Sequence, residues 1–141
     1  MTPASSGFDA LASDASAEGR RFVARLAEEW RGGANRFDRP GEAFRGAFRD
    51  GVLVAVGGLD ADPYLPEASG TARLRHGYVR PAWRRAGLGA ALTLHLLSPA
   101  GLRFRRVRLR TGNPDAARLY GRCGFEHVDE QDATHGFVVA P

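Results

Sequence analysis

The chain has no lysine, no isoleucine and a single cysteine, Cys123. One thiol excludes an internal disulfide and any cysteine-pair zinc site, which makes a reducing, cytoplasmic setting the expectation. No apolar run approaches the ~18 residues of a membrane span. The opening "MTPASSGFDA" lacks both a basic and an apolar segment, so no signal peptide is expected. All 20 basic residues are arginine, against 16 acidic ones, for a net charge of +4. Missing lysine and isoleucine together point to a coding bias toward G and C rather than to a selected basic surface. The arginines are spread from Arg20 to Arg122, and only "RFRRVRLR" (103–110) is dense. That stretch alternates with Phe104, Val107 and Leu109 as a strand does. It is read as a solvated strand face or the rim of an anionic-cofactor site, with a nucleic-acid patch as the alternative. His76, His95, His127 and His135 have no metal-ligand spacing, and no metal is expected.

What is present suits one domain over residues 1–141, 43% apolar and 26% charged. "GFDALASDA" is read as a short first strand. "SAEGRRFVARLAEEW" is read as a helix, since Phe22, Val23, Leu26 and Trp30 recur at helical spacing. "AFRGAFRDGVLVAVGGL" is a hairpin turning at Asp50-Gly51. "TARLRHGYV" (71–79) alternates as a strand, and Pro81 ends it. A helix follows from about Arg85 to Ser98, with Leu88, Ala91, Leu92 and Leu96 as its buried stripe and His95 seven residues after Leu88. "RRVRLR" is a further strand. In "NPDAARLYGRCG", Asn113 is a helix N-cap, Pro114 the first helical residue and Gly124 the stop. "FEHV" and "GFVVA" are the last strands. The order implies an α/β (α+β) fold, a mixed sheet with helices on both faces.

One segment needs a reason. Gly87 and Gly89 stand at the mouth of a helix, where alanine is better by about 1 kcal/mol per site. A helix start offers unpaired N–H groups and the positive end of its dipole, and a diphosphate fits if no side chain obstructs it. Gly87 and Gly89 remove the obstruction, and Arg84 and Arg85 add charge. Close helix–sheet packing is the other explanation for the glycines. No nucleoside-triphosphate loop motif is present, and the dinucleotide fingerprint fails at Leu92.

"VRPAWRRAGLGAAL" resembles the first signature of the GNAT N-acetyltransferases, V-x-P-x-x-[QR]-x-x-G-x-[GA]. "NPDAARLYGRCGF" resembles their second. The resemblance covers residues 50–128 firmly. It implies the GNAT acyl-CoA N-acyltransferase fold, with a mostly antiparallel twisted sheet, and acetyl-CoA as co-substrate. By that resemblance Arg84, Arg85, Ala86, Gly87, Leu88, Gly89 and Ala90 hold the pyrophosphate through their N–H groups. The main chain at Tyr78 and Val79 pairs with the pantetheine arm, and the Val79 N–H bonds the thioester carbonyl. The strand at 71–79 splays from that at 105–110 to admit the arm. Asn113 contacts pantetheine, and Tyr120 protonates the departing thiolate. A fixed N–H donor for the oxyanion and alignment of the reactants are what direct attack by an amine needs.

The chain departs from the family at Arg73, where many members carry glutamate six residues before the valine. A guanidinium cannot serve as a base at neutral pH. His76, Asp60, Asp62, Glu67 or a water chain remain as routes for the amine's proton. Alternation predicts that His76 shares a face with Leu74 and Tyr78, opposite Arg73 and Arg75. Arg73 or Arg75 is a candidate for holding a substrate carboxylate, and Trp30 for edging the acceptor pocket. The expected function is acetyl transfer to a primary amine of a small molecule or peptide, with no nucleic-acid or membrane partner. Such folds commonly form homodimers. A non-catalytic acyl-CoA-binding domain is the alternative reading.

Overall fold

The computed structural model describes Thr2, Ser5, residues 7–33 and residues 36–139. Helix α1 (Phe8–Ala17) opens the chain and α2 (Phe22–Arg31) follows. Strands β1 (Ala43–Arg49), β2 (Val52–Ala61) and β3 (Thr71–Val79) come next. Then come helix α3 (Leu88–Ala100), β4 (Arg106–Leu109), α4 (Pro114–Arg122), β5 (Glu126–Glu130) and β6 (Ala133–Val138). They build one six-stranded sheet in the order β1-β2-β3-β4-β6-β5. Among the described residues only the β3–β4 pairing is parallel. Parallel neighbours need a long crossover, and α3 provides it.

Each face of the sheet has its own core. Leu92, Leu96, Leu97 and Ala100 of α3 pack with Leu59, Leu74, Val107, Leu109 and Phe125. Phe8, Leu11, Val23 and Leu26 of α1 and α2 pack with Phe37, Phe44, Leu53, Val56 and Tyr78. The hairpin turns where expected, with Asp50 at φ 49° and Gly51 at φ 78°. Two left-handed central residues match the twist of the flanking strands.

Four expectations need correction. "GFDALASDA" lies within α1: Phe8, Leu11 and Ala15 are buried together, a helical rather than a two-residue spacing. The next helix begins at Phe22, because Gly19 at φ 76° breaks the chain between the two. Helix α3 starts at Leu88, since Arg85 at φ 66° and Gly87 at φ 78° are left-handed. It then runs through Pro99, and Ala91 and His95 are exposed while Thr93 and Leu97 are buried. Finally, the dense arginine stretch is only in part a solvated face: Arg105 and Arg110 are exposed, but Arg108 is 2% exposed.

Alternation along β3 also fails, for a reason the register supplies. Val56 pairs with Tyr78 but Gly58 pairs with Arg75, so β3 carries an extra residue opposite Gly57. The bulge reverses the parity of the strand. Leu74 therefore lies in the α3 core and Tyr78 in the α1–α2 core.

Glycines separate packing from freedom. A Cβ at Gly58 would lie 2.8 Å from Cε1 of the Phe37 ring, whereas one at Gly121 on α4 meets nothing within 4 Å. We expect Gly58→Ala to destabilise by about 1–3 kcal/mol through overpacking. Gly121→Ala should stabilise by up to about 1 kcal/mol through helix propensity. Denaturant midpoints of the two variants check both signs.

Candidate active site

Strands β3 and β4 part soon after they meet. Their ladder joins only Thr71, Ala72 and Arg73 to Arg106, Val107 and Arg108. From Leu74 to Val79, β3 has no ladder partner on that side among the described residues. The Arg80 N–H donates to the Val54 carbonyl at 2.8 Å. Successive residues of an antiparallel strand point their N–H groups to alternate sides, so the Val79 N–H faces the gap and that of Tyr78 faces β2. A strand edge of this kind is a template for an extended ligand.

The start of α3 stands at the open end of the gap. Its N-cap, Gly87, has φ 78°, and among the described residues no side chain caps the helix. The first-turn amides of Leu88, Gly89 and Ala90 thus precede the i→i−4 ladder, which begins with Ala91 N–H donating to Gly87 O at 3.1 Å. The two glycines have different duties. A Cβ at Gly87 would meet open space, so the left-handed backbone is what needs glycine there. A Cβ at Gly89 would lie 2.7 Å from Leu119 Cδ1 and 3.7 Å from Val79 Cγ2, so that glycine brings α3, α4 and β3 together.

Arg84 is turned away from the helix mouth. Its Nε donates to the Val79 carbonyl at 2.9 Å, and its two terminal nitrogens donate to Glu18 at 3.0 and 2.6 Å. Glu18 also accepts the Tyr78 hydroxyl at 2.5 Å. Tyr78 is thereby an anchor of the α1–α2 layer, with its ring in that core. Burial, then the Glu18 carboxylate, pushes its hydroxyl up to about 12. Arg85 and Ala86 are exposed.

Tyr120 comes from α4 on the other side of the gap. A Cβ on Gly77 would lie 3.2 Å from its hydroxyl, so the phenol reaches the free stretch of β3 just past the bulge. The ring is held edge-on to Phe125, with centroids 5.7 Å apart. Desolvation, then the neighbouring Cys123, raises its pKa, which keeps it a neutral phenol. Cys123 is buried, and desolvation raises its own pKa, the opposite of an activated thiol. Asn113 caps α4 through its Oδ1, which accepts from Asp115 and Ala116 at 2.9 and 3.4 Å. Its Nδ2 donates to no described residue.

A free strand edge, an uncapped helix mouth and a phenol meeting at one gap narrow the choice of fold family, and comparison decides it. The model of the acetyltransferase (GNAT) family matches residues 8–125. The chain belongs to this family. No curated protein matches it. A provisionally assigned acetyltransferase from Exiguobacterium sp. 255-15 is similar at 30% identity and a TM-score of 0.78, over 91% of this chain and 82% of that one. A provisionally assigned acyl-CoA N-acyltransferase from Klebsiella pneumoniae shares the fold at 21% identity and a TM-score of 0.69, over 99% of this chain and 94% of that one. Rv2747 from Mycobacterium tuberculosis, solved in complex with CoA and NLQ, matches at 27% identity and a TM-score of 0.51, over 61% of this chain and 49% of that one.

In this GNAT acetyltransferase the expected acceptor-side residues fall at different places. Trp30 is half-buried at the end of α2, and the Arg36 guanidinium covers it at 5.0 Å. Arg75 is gripped by Asp60 through two hydrogen bonds, at 3.0 and 2.5 Å. Arg73 lies 3.6 Å from Asp62, beneath the Tyr64 ring. The side chain of His76 lies outside the described part of the structure. Asp62 also accepts from Arg108 at 2.8 Å, and Glu67 accepts from Arg103 at 2.6 Å. Asp60, Asp62 and Glu67 are therefore all held by arginine. A cavity of about 220 Å³ lies beside α4, lined by Thr111, Asn113, Ala117, His127 and His135, and it includes none of residues 84–90. Among the described residues no group of three acidic, histidine or cysteine side chains could hold a metal. No helix among them is long and apolar enough to cross a membrane.

Glu18 is the residue that sequence reasoning missed, since nothing local links it to Arg84, 66 positions away. The Arg84 and Tyr78 hydrogen bonds hold its carboxyl below the usual 4.5. Its contribution to stability is full above that value and is lost as pH falls toward the lower folded one. Below pH 4.5 the wild type should lose stability more steeply than Glu18→Gln, as read from denaturant midpoints against pH. Parallel curves would remove Glu18 from that role.

Proposed function

We propose that the chain transfers the acetyl group of acetyl-CoA to a primary amine of a small molecule or peptide, by direct attack in a ternary complex. The observation that carries this is the gap between β3 and β4, with the Tyr120 hydroxyl at Gly77 and the uncapped α3 amides at its mouth. The family and its CoA-bound relative support it.

The residues present fit the co-substrate. Open space beside Gly87 and the unpaired amides of Leu88, Gly89 and Ala90 suit a diphosphate. The free edge of β3 suits the amide-bearing pantetheine arm, and the Nδ2 of Asn113 is available to it. Acetyl-CoA supplies the thioester carbon that the amine attacks. The Val79 N–H faces the gap as a fixed donor for the carbonyl oxygen. Tyr120 keeps its proton at neutral pH and holds it on Oη for the leaving sulfur. With Asp60, Asp62 and Glu67 held by arginines, His76 and a water chain remain to accept the amine's proton.

The pairing of those carboxylates favours one other reading, a module that binds acyl-CoA without turning it over. Thiol release over a panel of amines separates the two. Acetyl-CoA at ~100-fold above its Kd should stabilise the protein by about 2.7 kcal/mol, and an unmoved melting curve would reject both. Tyr120→Phe should lower kcat by ~100-fold while leaving the acetyl-CoA melting shift intact. Undiminished turnover in that variant would remove Tyr120 from the acid role.

A further inference from the structure

The last rung before the strands part carries two arginines. Arg73 and Arg108 are direct partners across β3 and β4. Ala72 and Leu74, and likewise Val107 and Leu109, belong to the α3 core. Both guanidiniums therefore lie on the opposite face of the sheet. Their side chains are only 10% and 3% exposed. Both converge on a single oxygen, Asp62 Oδ2, at 3.6 and 2.8 Å. Arg108 also donates to Glu130 at 3.3 Å and to the Gln131 carbonyl at 3.2 Å. Glu130, however, is gripped by Arg106 through two bonds, at 2.9 and 2.5 Å. Asp60 and Arg75 form a separate bidentate pair.

Among the described residues, three guanidiniums (Arg73, Arg106 and Arg108) thus share two carboxylates, Asp62 and Glu130. One positive charge is left over in a buried place. Among the described residues Arg73 Nη1, the atom 3.6 Å from Asp62, and Arg108 Nη2 are buried without a hydrogen-bond partner. Structural ion pairs tend to balance, because a buried unmatched charge is costly. Guanidinium N–H groups left without a hydrogen-bond partner suit the oxygens of a carboxylate. What covers Arg73 is the Tyr64 ring, 4.8 Å above it, itself 58% exposed and on the loop between β2 and β3.

We infer that Arg73 and Arg108 bind a carboxylate of the acceptor, at the floor of the gap where β3 and β4 separate. This rests on the acetyl-transfer reading and adds the class of acceptor. It also sets a length. Arg73 is four residues before Gly77, where Tyr120 reaches β3, which is ~13 Å along a strand. A free α-amino acid is too short to join the two places. A short peptide with a free C-terminus, about 10 Å for three residues, spans most of that distance.

The test compares triglycine with triglycine amide, and glycine with glycinamide, by acetyl-CoA-dependent thiol release. Triglycine should exceed its amide by at least 10-fold in kcat/KM, through KM, while glycine shows no such advantage over glycinamide. Arg73→Gln should raise the KM for triglycine to that of the amide and leave kcat unchanged. Loss of a buried guanidinium can unfold the chain, so a second readout uses the wild type. With CoA bound, triglycine should raise the melting temperature and its amide should not. Equal KM values, or equal melting shifts including none from either, would overturn the carboxylate site while acetyl transfer stands. A protein whose melting curve ignores acetyl-CoA would instead fail at the reading beneath it.

Discussion

The site depends on a parallel pairing that stops after three rungs. A strand edge with bare amides normally invites aggregation, and proteins cover or charge it. Here the edge of β3 is left open over its second half while the first half stays in the sheet. The crossover that a parallel pair requires begins at the same place, so the amides of α3 arrive beside the open edge. One topological fact therefore brings together main-chain donors from a strand and from a helix. Gly89 lets Leu119 and Val79 close around the helix start, and α4 then delivers Tyr120 to the far wall.

The α1–α2 layer is tied into this arrangement by charge. Arg80 bonds Asp14 at 2.7 Å and the Leu53 carbonyl at 3.2 Å, and Arg84 bonds Glu18. The segment between β3 and α3 includes two left-handed residues, Arg85 and Gly87, which costs backbone freedom. Anchoring its arginines to α1 holds that conformation in place. The layer is thus more than a cover for the second core; it positions the loop at the mouth of the gap.

Much of this was legible because its chemistry is local. Asp50-Gly51 announces a two-residue turn, and Asn113-Pro114 announces a helix start, from neighbours alone. The glycines at 87 and 89 marked the helix mouth, although one serves backbone conformation and the other packing. What stayed hidden depends on distance along the chain. The burial of Arg108 follows from Asp62, 46 residues earlier, which turned an apparent surface stripe into an interior network. Alternation misplaces the β3 residues because it presumes an unbroken ladder, and Gly77, a glycine within the strand pattern, is the one local sign of the bulge. Helix α1 was readable from Phe8, Leu11 and Ala15, but its many small residues blurred the period.

That bulge has a further meaning for how the protein can vary. Before it, residues 73 and 75 share the face that residue 78 occupies after it. The early half of the strand can therefore exchange side chains toward one chamber while the later half keeps its main chain committed to another. One strand is thereby divided into two segments, each with its own surroundings on either side of the kink.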